Sequence, residues 1–333
     1  MPPSSSDQNQ TVMFYESGTY GNALGTANWL GLIQDHSLSE TRNIIPVRYA
    51  GNASRNVGQF VNGQFTYNGT ISLFPQDFRT LFFALGKCVD SGSPSPYLHT
   101  ITEINSNGSS AEIPSQILPS ISLEISQTAN VAGSNFVRTV NGAVVDTWSL
   151  SWNEGEIATV DIGYIAKDTV FASGAKTAVT AGTVSPYRWR DILVALPSGT
   201  SNIITKTKGG TLTISNNLQA QNYAGAGSDA ITEVIPTERD YELTLNVNAD
   251  PVWTKGFYDQ YFFGGSTFNM QIAAIVSAGS REGIITLSGC KLDPFDAPNT
   301  STGVNTQSLT IKPQVVTAVT TDEIQYYHGF SVA

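Results

Sequence analysis

The residues able to do chemistry in this 333-residue chain are few and poorly spaced for it. Its three histidines, His36, His99 and His328, stand in loop-like contexts, and none is spaced from a cysteine or another histidine as metal ligands are. Cys88 and Cys290 are too few for a disulfide framework and read as buried thiols. Glu154 and Glu156 fall in a hairpin turn, where acids are solvated and nothing drives two carboxyl pKa values apart as acid–base catalysis requires. "DPFDAPN" offers Asp293, Asp296 and Asn299 as oxygen ligands for calcium, but it lacks the register of an EF-hand and reads as an Asp/Pro turn. "YAGAGSD" lacks the helix of a dinucleotide loop, and no serine occupies a nucleophile elbow. The sequence therefore predicts no catalytic residue, no metal and no cofactor, and points away from an enzyme.

Seventeen basic residues against 27 acidic ones give a net charge of −10, which excludes a surface that grips nucleic acid by neutralising phosphates. A surface past which DNA slides is compatible with that balance. Charged residues are only 13% of the chain, and the abundance of Ser, Thr, Asn and Gly suits strands and turns, so an all-β fold is expected. The N-terminus has neither the basic nor the apolar region of a secretory signal, and no stretch approaches the ~20 apolar residues of a membrane span. We expect a soluble product of a cytoplasm, in which the sequons at Asn9, Asn52, Asn68, Asn107 and Asn299 carry no consequence.

The elements that would position side chains are mostly strands. In "GQFTYNGTISL", Phe65, Tyr67, Ile71 and Leu73 alternate with Gln64, Thr66, Thr70 and Ser72. "FPQDFRTLFFALG" (74–86) then predicts a short helix: Phe78, Leu81, Phe82 and Leu85 share one face, Pro75 and Asp77 suit its start, and Gly86 its end. Its aromatics read as a lid over one edge of a β core. A long loop, "VDSGSPSPYLHTITEINSNGSSAEIP", follows. Strands are expected at 121–125, 144–152 and 157–165, the last two joined as a hairpin by "NEGE". Trp148, Leu150 and Trp152 would bury against Ala158, Val160, Ile162 and Tyr164, leaving Thr147, Ser149, Ser151, Thr159 and Asp161 on small, polar faces without Lys or Arg.

The second half echoes the first. "YRWRDILVAL", "GTLTISNNL" and "RDYELTLNVN" read as strands, and "DPVWTKGFYDQYFFGG" as another short aromatic helix, with Asp250 as cap, Pro251 in its first turn and Gly264 and Gly265 as its stop. An alternating strand running through a Pro-started aromatic helix to glycine recurs after about 175 residues, which suggests duplicated strand–helix–strand units in halves of about 46–166 and 186–312. "MQIAAIVSAG", "EGIITLSGCKLD" and "SLTIKPQVV" supply later strands, and 313–333 form a C-terminal tail. Residues 1 to about 12 read as a disordered arm, within an N-terminal docking segment of 1–45.

The order and spacing of "YESGTYGNA", "FPQDFRTLFFALG" with "SPYLHT", "LPSISLEI", "WSLSWNEGEIATVDIGYIAKD", "LTISNNL" and "DPVWTKGFYDQYFF" resemble the tail tube proteins (major tail proteins) of tailed bacterial and archaeal viruses, over about residues 14–293. The resemblance implies a β-sandwich or barrel-like subunit that closes into hexameric rings, its strands joining those of its neighbours in one β-barrel around a lumen. Rings would stack into a tube in the virion tail, after assembly in the host cytoplasm. Partners implied are the chain itself and tape-measure, tail-terminator and tail-tip proteins, with viral DNA passing through without specific binding and no membrane insertion. DNA carries a negative charge every ~1.7 Å, so a wall of hydroxyls and scattered acids would let it pass where Lys and Arg would hold it. The lumen-facing candidates are accordingly Thr147, Ser149, Ser151, Thr159 and Asp161, with Asp240, Glu242, Thr244 and Asn246. A solvent-facing outer wall would carry the same residues. Phe14, Tyr15 and Tyr20 are candidates for stacking rings. The long loop after the first helix departs from the family, as does the lack of room after residue 333 for an immunoglobulin-like domain. An adhesion module that binds glycans through Tyr187 and Trp189 is the alternative from another class.

Overall fold

The computed structural model describes residues 10–16, 20–49, 56–91, 97–104, 118–128, 135–172, 176–180, 184–195, 207–223, 229–249, 255–275, 282–295 and 304–322. They form an antiparallel all-β sandwich with short helices. Sheet I runs in the order β3 (Leu32–Val47), β4 (Gln59–Phe74), β9 (Thr159–Ile165), β8 (Asn135–Asn153), β12 (Thr207–Ser215), β15 (Asp240–Asn248), β18 (Thr306–Lys312) and the end of β17 (Glu282–Phe295). Sheet II runs β5 (Gly86–Ser91), β6 (Tyr97–Glu103), β19 (Val315–Asp322), β17, β16 (Phe268–Ile275) and β11 (Ile192–Ala195). Sheet III holds β2 (Ala23–Asn28), β1 (Gln10–Glu16), β7 (Ile121–Thr128), the first part of β8, and β10 (Asp168–Ala172). A two-stranded ribbon, β13 (Leu218–Gln221) with β14 (Glu233–Pro236), stands apart from the large sheets.

Two strands change sheets, and each does so at a backbone irregularity that bends it. β8 passes from sheet III to sheet I past Gly142 (φ 65°) and a bulge between Val145 and Thr147. β17 pairs with β19 up to Ser288 and with β16 up to Cys290, across an irregularity at Gly289 (φ 64°), and then pairs with β18 from Lys291.

The expected hairpin forms as read. Trp148 pairs with Ile162 and Leu150 with Val160, and all four are buried. Leu212, Ile214, Leu243, Leu245, Leu309 and Ile311 continue that apolar face across sheet I. Between this face and sheet II lies the helix α1 (Arg79–Leu85), ended by Gly86 in the left-handed region. It starts four residues after Pro75, and every one of its seven residues is buried, so it is a plug inside the sandwich rather than a lid over its edge. Its two polar residues find partners inside: Arg79 donates to the Trp29 carbonyl and to Asp77, and Thr80 accepts from the Trp148 indole at 3.0 Å.

Several expectations change. The N-terminal segment is no free arm from residue 10 onward. β1 pairs with β7 and β2, with Val12 and Met13 fully buried, and most of β3 also lies before residue 46. The long loop after α1 contains the β5–β6 hairpin. The stretch "SLTIKPQVV" is two strands, and the tail from 313 supplies β19 to the interior of sheet II. Trp189 sits in a 3-10 turn (Trp189–Asp191) and not in a strand, because the Asp191 carboxylate accepts from the Arg188 backbone and side chain and closes the turn. The second aromatic helix spans 255–263 and is π-helical over Tyr258–Phe263. Asp250, Pro251, Asp296, Asn299 and His328 lie outside the described residues. No helix among the described residues is long and apolar enough to cross a membrane.

Candidate channel face

The residues opposite the apolar face of sheet I come together as one surface. β12, placed between β8 and β15, joins the two regions that the sequence singled out separately. Cross-strand partners line up in rows. One runs Asp35, Ser72, Asp161, Ser149, Thr213, Glu242. The next runs Ser37, Thr70, Gly163, Thr147, Ser215, Asp240, and a third Thr159, Ser151, Thr211, Thr244, Thr310. Asn246 belongs to a fourth, between Gly209 and Ser308. All nine candidate positions thus share a face, exposed at Thr147, Asp161, Asp240, Glu242 and Asn246 and half-buried at Ser149, Ser151, Thr159 and Thr244.

Hydroxyls tie neighbouring strands together along the rows. Ser37 Oγ and Thr70 Oγ1 lie 2.6 Å apart, Ser151 Oγ and Thr211 Oγ1 3.1 Å apart, and Ser72 donates to Asp161. Asn217 donates to Asp240 at 2.9 Å. Among the described residues, no Lys or Arg enters these rows from β3 to β15, whereas Asp35, Asp161, Asp240 and Glu242 bring four carboxylates. Lys291 and Lys312 face each other at the far border. The contribution of β12 was legible in "GTLTIS", where Thr211, Thr213 and Ser215 alternate with Leu212 and Ile214. That of β3 was not, because a strand with "QDHSLSET" on it shows little apolar periodicity.

Sheet I ends in strands without a further neighbour among the described residues, β3 on one side and Lys291–Phe295 on the other. Beyond the sandwich, the far part of the β3–β4 hairpin exposes Ile44, Ile45, Phe60 and Val61, and the 258–263 helix exposes Phe263 at 80%. Such a concentration of exposed apolar side chains and open edges is characteristic of a surface made to be covered.

The N-terminal candidates are placed differently from one another. Tyr15 is buried, its ring 6.1 Å from that of Phe83. The Tyr20 hydroxyl donates to the Gly142 carbonyl at 3.0 Å, and Lys167 Nζ sits 5.2 Å from the centre of its ring. Phe14 is half-buried. Glu16, which the sequence reading passed over, is nearly enclosed and accepts from Gly21 N, Ser120, Ser122 and Gly142 N, fixing β1 to the bend of β8.

Groups with potential chemistry are kept inert. Burial, and then the Asp90 carboxylate, raises the Cys88 thiol far above its ordinary pKa, and burial pushes Cys290 up to about 12, so neither is a reactive thiolate. His36 lies between Thr11 Oγ1 (3.1 Å) and Tyr164 Oη (2.7 Å), and its burial lowers it to about 4, which keeps the imidazole neutral. Tyr187 is a core residue against Phe78, so it is closed to the glycans of the adhesion reading. A comparison with curated proteins gave no match. A family model described as phage tail tube protein matches residues 7–313.

Proposed function

The chain belongs to the phage tail tube protein family, a structural and non-enzymatic one, and from that premise we propose that it polymerises as stacked hexameric rings whose lumen is walled by the polar face of sheet I and conducts viral DNA into the host. The observation that carries this reading is the breadth of that face: rows of hydroxyls and carboxylates six strands wide, from β3 to β15, without a cation. Phosphates passing these six strands release no counterions to them and find nothing there to hold them, and the cations of this face, Lys291 and Lys312, are confined to the border beyond β15. The open edges of sheet I support ring closure, since pairing β3 with the 291–295 edge of the next copy would satisfy both and continue the sheet around the ring.

The exposed apolar residues of the β3–β4 hairpin and of the 258–263 helix serve contacts between copies. Stacking through the N-terminal segment rests on Phe14 and on residues 1–9, because Tyr15 is committed to the subunit core. Removal of residues 1–28 would take out β1, so truncation at residue 9 is the variant that separates stacking from folding. Tape-measure, tail-terminator and tail-tip proteins complete the assembly, which takes place in the host cytoplasm.

Replacing Asp240 and Glu242 together by Lys tests the lumen. Both are exposed, so rings should still assemble by electron microscopy. Mutant virions should eject DNA more slowly, and added salt should restore the rate, because the new cations act through counterion release. Normal ejection at low and high salt would place this face on the outer wall.

A further inference from the structure

The β5–β6 hairpin gathers a set of donor atoms far from any role in a channel wall. Asp90 and His99 pair across its ladder, with Oδ1 and Nδ1 2.6 Å apart. Cys88, two residues before Asp90 and therefore on the same face, holds its Sγ 3.6 Å from that Oδ1. The three donor atoms lie within 4.8 Å of one another. All three side chains are enclosed, with His99 at 0%, Asp90 at 7% and Cys88 at 9% exposure.

A fourth group stands beside them. Thr320 on β19 pairs with His99 across the β6–β19 ladder, so the two side chains share a face. Thr320 is also fully buried, and its Oγ1 has no hydrogen-bond partner among the described residues. An unsatisfied buried hydroxyl is unusual enough to ask for a ligand.

We propose that Cys88, Asp90 and His99 bind a divalent transition-metal ion of the zinc class, with Thr320 Oγ1, directly or through a water, completing a four-coordinate shell. One sulfur, one nitrogen and one carboxylate oxygen suit zinc, whereas magnesium and calcium take oxygen ligands alone. Charge favours the same ion: a thiolate and a carboxylate with a neutral imidazole cancel a 2+ cation, as an enclosed site requires. On binding, the Cys88 thiol releases its proton to solvent and the imidazole keeps one, on Nε2. Nothing is oxidised or reduced. The ion would fasten the β5–β6 hairpin to β19, two segments more than 200 residues apart in the chain (His99 to Thr320), and its role is structural. The proposal is independent of which face lines the lumen.

The test uses the full-length protein, purified in chelator, dialysed, and titrated with Co²⁺ and then Zn²⁺. Cobalt should produce a thiolate-to-metal charge-transfer band and the intense d–d bands of a four-coordinate ion, saturating at one equivalent and displaced by zinc. Zinc at about a hundredfold over its Kd should raise the melting midpoint by roughly 5 °C. Cys88→Ser should lose the charge-transfer band and Cys290→Ser keep it. Should Cys88→Ser not fold, Asp90→Asn, which preserves the side-chain shape, should lower cobalt affinity by about tenfold or more. The proposal is overturned by the absence of a charge-transfer band together with an unchanged melting midpoint, by a band that survives Cys88→Ser, or by an unchanged affinity in Asp90→Asn.

Discussion

The two helical crossovers from sheet I to sheet II share a sequence pattern and differ in what they do with it. α1 joins β4 to β5 and is buried on all sides; the 258–263 helix joins β15 to β16 and leaves Tyr258, Phe262 and Phe263 in the open. α1 is apolar around its whole circumference apart from Arg79 and Thr80, both of which find partners inside. The second helix carries Lys255, Asp259 and Gln260 among its aromatics, so one face alone can bury. Phe257 and Tyr261 take that face and pack on the ring of Phe268, at 5.3 and 4.8 Å. Tyr258 and Phe262 pack against each other on the neighbouring, exposed side, with centroids 5.5 Å apart. Aromatic content alone therefore does not separate a core plug from a displayed surface; the polar residues between the aromatics do.

Substitutions at matched positions in the two crossovers should reproduce that contrast. Phe82→Ala, inside α1, should cost about 3–5 kcal/mol of subunit stability by chemical denaturation; a loss under about 1 kcal/mol would mean that the helix is no plug. Gly86→Ala forces a side chain into a backbone at φ 97°, with Ile104 Cγ2 only 2.6 Å from the new Cβ, and should cost about 2–4 kcal/mol. Gly265 ends the other helix with φ 65° but has nothing within 4 Å of an added Cβ, so Gly265→Ala should cost only the backbone strain, about 1 kcal/mol. Equal melting shifts for the two glycine variants would erase the distinction. Phe263→Ala should change subunit stability by less than about 0.5 kcal/mol while shortening the tubes seen by electron microscopy, and normal tubes would remove that ring from the contacts between copies.

The parts of the fold legible in the sequence were those with one wet and one dry face. β8, β9, β12 and β15 alternate cleanly, and the polar surface they build could be written down in two pieces before the sheet order was known. β1 was missed because Thr11, Val12 and Met13 are buried in succession, which removes the period-two signal. β5, β6 and β19 were hidden differently: His99 and Thr320 put polar letters on the buried face of sheet II, while Val89, Leu98 and Val319 put apolar ones on its exposed face. The Cys88–Asp90–His99 cluster was invisible for the same reason, since its members meet across a ladder that the sequence did not announce. In "YRWRD" the alternation was real and misleading, because the Asp191 carboxylate favours a local turn over a strand.

The bulge in β8 has a consequence for how the length of this chain can change. Asp146 is the extra residue between Val145 and Thr147, which pair with Tyr164 and Gly163 in direct succession. Its deletion would forfeit the hydrogen bond from Leu218 N to its carboxylate, 2.8 Å in length, yet every later residue of the strand would keep its face. Deleting Ser149 instead would exchange the two faces beyond it, carrying Trp152 to the polar surface and Ser151 into the core. Gains and losses of single residues in descendants of this sequence are therefore expected to collect at such bulges, where an indel leaves the wall intact, and to be purged from the regular ladder between them.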